Sequence, residues 1–172
     1  MGILDLGLIV LGLYALVPKL YWIYISIINS FFLTQKDLKK LYNENGDSWV
    51  LVTGCTSGIG EEIAHRFAKL GFNIVLLSRS IERLNSVDQA VKKHSPKVKT
   101  RIVQADFANG GEKLELYERI YEEVKDLDIS ILVNNAGVLH NGYFRDLTVK
   151  QVTEQVIVNT YPYILLTKAL LP

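Results

Sequence analysis

From Leu6 to Phe32 the chain is apolar at almost every position, and Lys19 carries the only charge. A helix of about 27 residues is roughly 40 Å long, enough to cross a bilayer core of about 30 Å with tilt. Tyr14, Tyr21, Trp22 and Tyr24 are amphipathic aromatics of the kind that favour membrane interfaces. The run predicts a membrane anchor over residues 1–33. Pro18-Lys19 divides it, so a single span and a hairpin or in-plane anchor both stay open. A cleaved signal peptide fits less well, because no basic region precedes the run and it exceeds the usual apolar stretch. Residues 34–47 turn polar, contain Asn43, Asn45, Gly46 and Asp47, and read as a linker.

From residue 48 onward short apolar runs alternate with helical periodicity. Trp49–Thr53 reads as a strand buried on both faces. A helix follows from Gly58 to Leu70, with Ile63, Phe67 and Leu70 on one face and Gly71 as its C-terminal stop. Asn73–Leu77 is a second strand. Ser80 caps the next helix, whose stripe is Ile81, Leu84, Val87 and Val91, and Ser95-Pro96 ends it. Residues 98–104 form a third strand. A helix from about Gly111 to Lys125 carries Leu114, Tyr117, Ile120 and Val124. Ile129–Val133 is a fourth strand, and Thr148 with Gln151 forms a capping box for a last helix. Such alternation means βαβ units and a doubly wound parallel sheet over 48–172.

In such a sheet a ligand sits beyond the carboxyl ends of the strands. The first strand-to-helix turn there is Gly54-x-x-x-Gly58-x-Gly60. Glycines let the backbone approach phosphate closely, and the helix N-terminus offers N–H donors and a positive dipole. A nucleoside-triphosphate loop would need Gly-Lys-Ser/Thr, and this turn has no lysine. Proteins of the Rossmann type that prefer NAD place an acid at the end of the second strand to bond the ribose 2′-hydroxyl. Here that place holds Ser78 and Arg79, which suit a 2′-phosphate. The expected cofactor is NADP(H).

Three further signals accompany the turn: Asp106 after the third strand, Asn134-Asn135-Ala136-Gly137 after the fourth, and Asn159 inside the last helix. In this order and spacing they resemble the short-chain dehydrogenase/reductase family over residues 48–172. The resemblance implies that Thr53, Gly54, Ser57, Gly58, Ile59 and Gly60 form the cofactor turn. It implies that Asp106 bonds the adenine amino group and that Asn134, Asn135, Ala136 and Gly137 shape the nicotinamide side. It makes Asn159 the tetrad asparagine, whose backbone carbonyl holds a water in the proton relay. Pro162 departs from a regular helix and is expected to kink it near the Val158 carbonyl.

The anchor, "SWVLVTG", the "DF" after the third strand and the closing "ALLP" are similar to one branch of that family. It comprises the very-long-chain 3-oxoacyl-CoA reductases and 17β-hydroxysteroid dehydrogenases of the endoplasmic reticulum. The likeness implies a lipophilic substrate, an acyl-CoA or a steroid, reduced with NADPH. Retinol and lipid-droplet dehydrogenases are other anchored members. Family catalysis also needs Tyr-x-x-x-Lys and a serine. Tyr143 and Tyr161 are followed four residues later by Leu147 and Leu165. Tyr121 and Lys125 fit formally, but on a helix before the fourth strand with acids between, where a surface helix is the simpler reading. The chain ends where a fifth strand would begin, so it reads as an incomplete Rossmann domain, a fragment of a larger enzyme. The competing reading is a non-catalytic, anchored dinucleotide-binding protein.

Charge and composition narrow this further. Nineteen basic and 18 acidic residues balance, leaving no basic field for nucleic acid. The single cysteine, Cys55, excludes an internal disulfide and suits a reducing compartment. Three scattered histidines, His65, His94 and His140, make no metal site. Asp5 precedes the apolar run and Lys36, Lys39 and Lys40 follow it, which places the remainder on the cytosolic side of the membrane. The helix after Thr148 is one part of the surface on which the family forms dimers, so a homodimer is compatible with the sequence.

Overall fold

A computed structural model of the chain describes residues 2–32, 35–43 and 45–171. The chain divides into two compact units, Met1–Leu38 and Lys39–Pro172. The first is dominated by helix α1 (Ile3–Phe32), which runs unbroken through Pro18. The hairpin reading of the apolar run is thereby corrected. Proline removes one internal hydrogen bond, yet the remaining ladder of a long apolar helix carries the chain past it. Within α1, Leu11–Ile28 is long and apolar enough to cross a membrane, and none of it is buried in the protein.

The presumed linker is partly a helix, α2 (Gln35–Tyr42). Its apolar positions, Leu38, Leu41 and Tyr42, follow helical spacing inside a charged sequence, a signal that its polarity masked. Asn43 then turns inward and is almost fully buried.

The second unit is the doubly wound sheet. Its elements are β1 (Trp49–Thr53), α3 (Gly58–Lys69), β2 (Asn73–Ser78), α4 (Ile81–His94), β3 (Thr100–Gln104), α5 (Leu114–Val124), β4 (Ile129–Val133), a 3₁₀ turn (Phe144–Asp146) and α6 (Val149–Leu170). All strand pairs are parallel, in the order β3-β2-β1-β4. The register between β1 and β4 slips once, between Trp49 and Val50. Alternation along the strands sorts the core into two layers. Val50, Val52, Ile74 and Leu76 face α3 and α4, while Leu51, Val75, Leu77 and Val103 face α5 and α6. The jump from β3 across the sheet to β4 creates the switch point beside β1.

Helix faces differ from the expected stripes in one instructive way. The residues of α3 buried deepest are Gly60, Ala64 and Ala68, whereas Ile63, Phe67 and Leu70 only flank them. Small side chains let α3 lie close against β1, and the larger ones fill the margins. At the two starts of α4 and α5, Ile81 and Leu114 are exposed. Helix α5 begins at Leu114 rather than Gly111, since Gly110 has a positive φ of 112° and ends the preceding turn. Helix α6 continues past Pro162, which is buried on the same stripe as Val158 and Leu166. β4 is only half-buried along its length, and Val156 and Ile164 of α6 are exposed.

Candidate functional site

The glycine turn is shaped by close contact. Gly54 has φ 64°, and a Cβ there would lie 2.9 Å from the Ala136 Cα. At Gly60 a Cβ would lie 2.4 Å from both the Asn135 amide nitrogen and the Gly54 carbonyl oxygen. Only glycine lets the start of α3 pass so near the end of β4. Ser57 is the N-cap of α3, extended at φ −167°, and its hydroxyl makes no capping bond. The first-turn N–H groups therefore have no side-chain acceptor, and the positive end of the helix is free to receive an anion. Nothing lies within 4 Å of the position a Gly58 Cβ would take, so the space above that end is open.

A cleft of about 330 Å³ opens over this turn at the carboxyl ends of the strands. Gly54, Ser57 and Ile59 line it from the turn, Asn135, Ala136 and Gly137 from β4, and Ser78, Arg79 and Asp106 from β2 and β3. Thr53, Gly58, Gly60, Asn134 and Asn159 do not line it. Several of these act underneath. The Thr53 hydroxyl accepts from the backbone N–H groups of Asn135 (2.9 Å) and Ala136 (3.0 Å) and donates to the Val133 carbonyl at 3.2 Å. The Asn135 amide donates back to the carbonyls of Thr53 (3.0 Å) and Gly54 (3.2 Å). These bonds lock the end of β1 to the end of β4 and form the floor of the cleft.

Toward β2 the cleft is cationic. Arg79 and Arg83 are both exposed and line it, and neither guanidinium has a partner among the described residues. Arg83 was not singled out from the sequence. Its signal is the four-residue spacing from Arg79 across the N-cap Ser80, whose hydroxyl accepts from the Arg83 N–H at 3.3 Å. Thr56 was also missed; its hydroxyl pairs with that of Ser78 at 3.0 Å and ties the turn to β2. Asp106 accepts from the Ala108 N–H (3.0 Å) and from the Asn109 amide (2.6 Å), which fixes its carboxylate at the rim. Cys55 lies within the turn but is fully buried. Burial pushes its thiol up to about 12, so it is inert as a nucleophile.

Beyond β4, Asn159 closes a two-point clamp. Its side-chain oxygen accepts from the Val138 N–H at 2.8 Å and its amide donates to the Val138 carbonyl at 2.9 Å. Tyr163 donates its hydroxyl to the Ala136 carbonyl at 3.2 Å. Asn134 donates to the Thr167 hydroxyl, and its own oxygen is buried with no partner among the described residues. His140 is held by Glu154 at 3.1 Å and, through its backbone N–H, by Gln155. Tyr121 sits on α5, and Lys125 just beyond it pairs with Glu122, so this couple is a surface feature.

A parallel sheet of order 3-2-1-4 with a glycine turn at its switch point defines a Rossmann-type α/β domain. Residues 48–172 match the profile described as short chain dehydrogenase, and the chain belongs to that family. It is 34% identical over 173 residues to a very-long-chain 3-oxoacyl-CoA reductase of Mycosarcoma maydis, covering 99% of this chain and 47% of that protein. It is 39% identical over 125 residues to hydroxysteroid dehydrogenase-like protein 1 of Gallus gallus, covering 72% and 35%. Among solved structures, a short-chain dehydrogenase from Sphingobium yanoikuyae in complex with NADPH superimposes with a TM-score of 0.63 at 33% identity, over 71% of this chain and 46% of that one. L-sorbose reductase from Gluconobacter frateurii, complexed with NADPH and L-sorbose, gives 0.63 at 29% identity, over 71% and 45%. The chain thus spans about half the length, or less, of the curated relatives it matches.

Proposed function

We propose that the cleft binds NADP(H) and that the protein is a membrane-anchored reductase of long-chain 3-oxoacyl-CoA, with steroid ketones the second substrate class. The observation that carries the cofactor choice is the pair Arg79 and Arg83, unpaired at the end of β2 where no acid stands. An acid there would repel a 2′-phosphate; two guanidinium groups attract it. In this reading the uncapped first turn of α3 receives the pyrophosphate, with Gly54 and Gly58 leaving room. Asp106 holds the adenine amino group, and Asn135, Ala136 and Gly137 bound the nicotinamide side. The bound cofactor supplies the hydride. Thr53 acts from below by holding the end of β4 against the turn, and Asn134 by tying the end of β4 to Thr167 of α6. Asn159 positions Val138 with its side chain, and in this reading its backbone carbonyl accepts from a water in the proton relay.

The substrate class rests on the names of the relatives and on α1, whose apolar span suits an enzyme working on lipophilic substrates at a bilayer. The branch the sequence resembles suggests an endoplasmic-reticulum anchor, and the polarity of flanking charge supports a domain on the cytosolic side. The competing reading is a non-catalytic, membrane-anchored dinucleotide-binding protein. Titration of NADPH and NADH by nicotinamide fluorescence, followed by absorbance at 340 nm with a long-chain 3-oxoacyl-CoA, tests both. Equal affinity for the two cofactors would sink the NADP(H) assignment. NADPH consumption by residues 1–172 alone would sink the non-catalytic reading.

A further inference from the structure

We propose that α2 is an in-plane interfacial helix that docks on an anionic lipid surface. The inference rests on the membrane reading of α1. Two residues separate the end of α1 from the start of α2. That length of chain reaches about 10 Å at most, so α2 must begin close to the interface where α1 leaves it. By helical spacing Leu38, Leu41 and Tyr42 share one stripe, and all three are exposed, Leu41 by 70%. Lys39 flanks the stripe and Lys40 lies opposite; both are exposed, and neither ammonium has a carboxylate partner among the described residues. The helix carries three lysines, Lys36, Lys39 and Lys40, against one acid, Asp37, and this net positive charge beside an apolar stripe suits a helix lying in the headgroup layer of an anionic membrane.

What makes this docking consequential is Asn43. It is 1% exposed. Its N–H donates to the Lys39 carbonyl at 2.9 Å, continuing the helix. Its amide donates to the Gly71 carbonyl at 3.0 Å, and its side-chain oxygen accepts from the Ser48 N–H at 3.1 Å. The end of α2 is thereby fastened to the starts of β1 and β2, the edge of the sheet opposite the cleft.

The test uses the full chain in vesicles. Cys55 is fully buried, so a nitroxide label introduced at Leu41→Cys reacts at that position alone. Vesicles of phosphatidylcholine with about 30% phosphatidylserine are compared with phosphatidylcholine alone. Expected is a label shielded from a water-soluble relaxant and reached by oxygen in the anionic vesicles, and exposed in the neutral ones. Each lysine near an anionic surface is worth about fivefold, so neutralising Lys39 and Lys40 lowers the immersed-to-exposed ratio about 25-fold. K39E/K40E goes further. A water-exposed label in both vesicles, with α1 resisting alkaline extraction, overturns the proposal and leaves the anchor standing. Immersion that ignores lipid charge and K39E/K40E overturns it too. Extraction by alkali removes the anchor and this proposal together.

Discussion

Gly60→Ala is the sharpest probe of how the cleft is built, because two effects of opposite sign compete. Alanine favours a helix over glycine by about 1 kcal/mol. The new methyl, however, would sit 2.4 Å from the Asn135 amide nitrogen and 2.4 Å from the Gly54 carbonyl oxygen. Ordinary contact is about 3.5 Å, so the neighbours must give by roughly 1 Å. Neither is a loose end. The Gly54 oxygen is backbone, and the Asn135 amide is held by the carbonyls of Thr53 and Gly54. Overpacking costs about 1–3 kcal/mol, and each hydrogen bond lost about 0.5–1.5 kcal/mol. Less the helix gain, the net is a loss of about 3 kcal/mol. Urea denaturation of wild type and Gly60→Ala measures it, with Gly12→Ala as a control, since nothing lies within 4 Å there. Asn135→Ala combined with Gly60→Ala should recover part of the loss, because one of the two clashes is gone. A Gly60→Ala protein as stable as wild type would refute the close packing of α3 on the end of β4.

Arg79→Asp should weaken NADPH binding by about tenfold to a hundredfold, leave NADH binding within a fewfold, and so reverse the preference; parallel titrations decide it. Asn159→Asp keeps an acceptor for the Val138 N–H but sets a carboxylate against the Val138 carbonyl. It should cost about 1–3 kcal/mol and shorten hydrogen-exchange protection of the Val138 amide. Burial, with the negative charge of Glu112 behind it, pushes the Tyr117 phenol from its usual value near 10 up to about 12. The folded value lies above the unfolded one, so this contribution is complete below pH 10 and is lost as pH rises through 12. Tyr117→Phe should remove that alkaline decline from the stability profile.

The four strands were legible because each is a short continuous apolar run, the mark of a sheet covered on both faces. The order β3-β2-β1-β4 confirms the doubly wound topology that the alternation predicted. Helix faces were less legible. Periodicity points to large residues, but the deepest face of α3 is made of Gly60, Ala64 and Ala68, chosen for distance rather than hydrophobicity. The polar sequence before β1 hid an eight-residue helix whose three apolar positions are too few to stand out. At the cleft, motif spacing found the turn, the β4 end and Arg79. It missed Arg83 and Thr56, whose relevance comes from where α4 starts and how the turn folds over β2. It also gave Thr53 and Asn134 the same standing as Ser57, whereas the structure separates residues that face the cleft from those that brace it.

The bonds between Thr53 and Asn135 join positions 82 residues apart. The pairs β1-β2 and β2-β3 close through single crossover helices, while β1-β4 must wait for almost the whole sheet to be present. Long loops are slow to close, so this pairing belongs late in the order of assembly. A chain emerging from a ribosome therefore cannot present a finished cleft until residues beyond Gly137 are free to fold. Any ligand held across the β1 and β4 ends would then act as a latch on the last and most distant contact. Its stabilisation would appear as slower unfolding of the entire sheet rather than as local tightening of a loop.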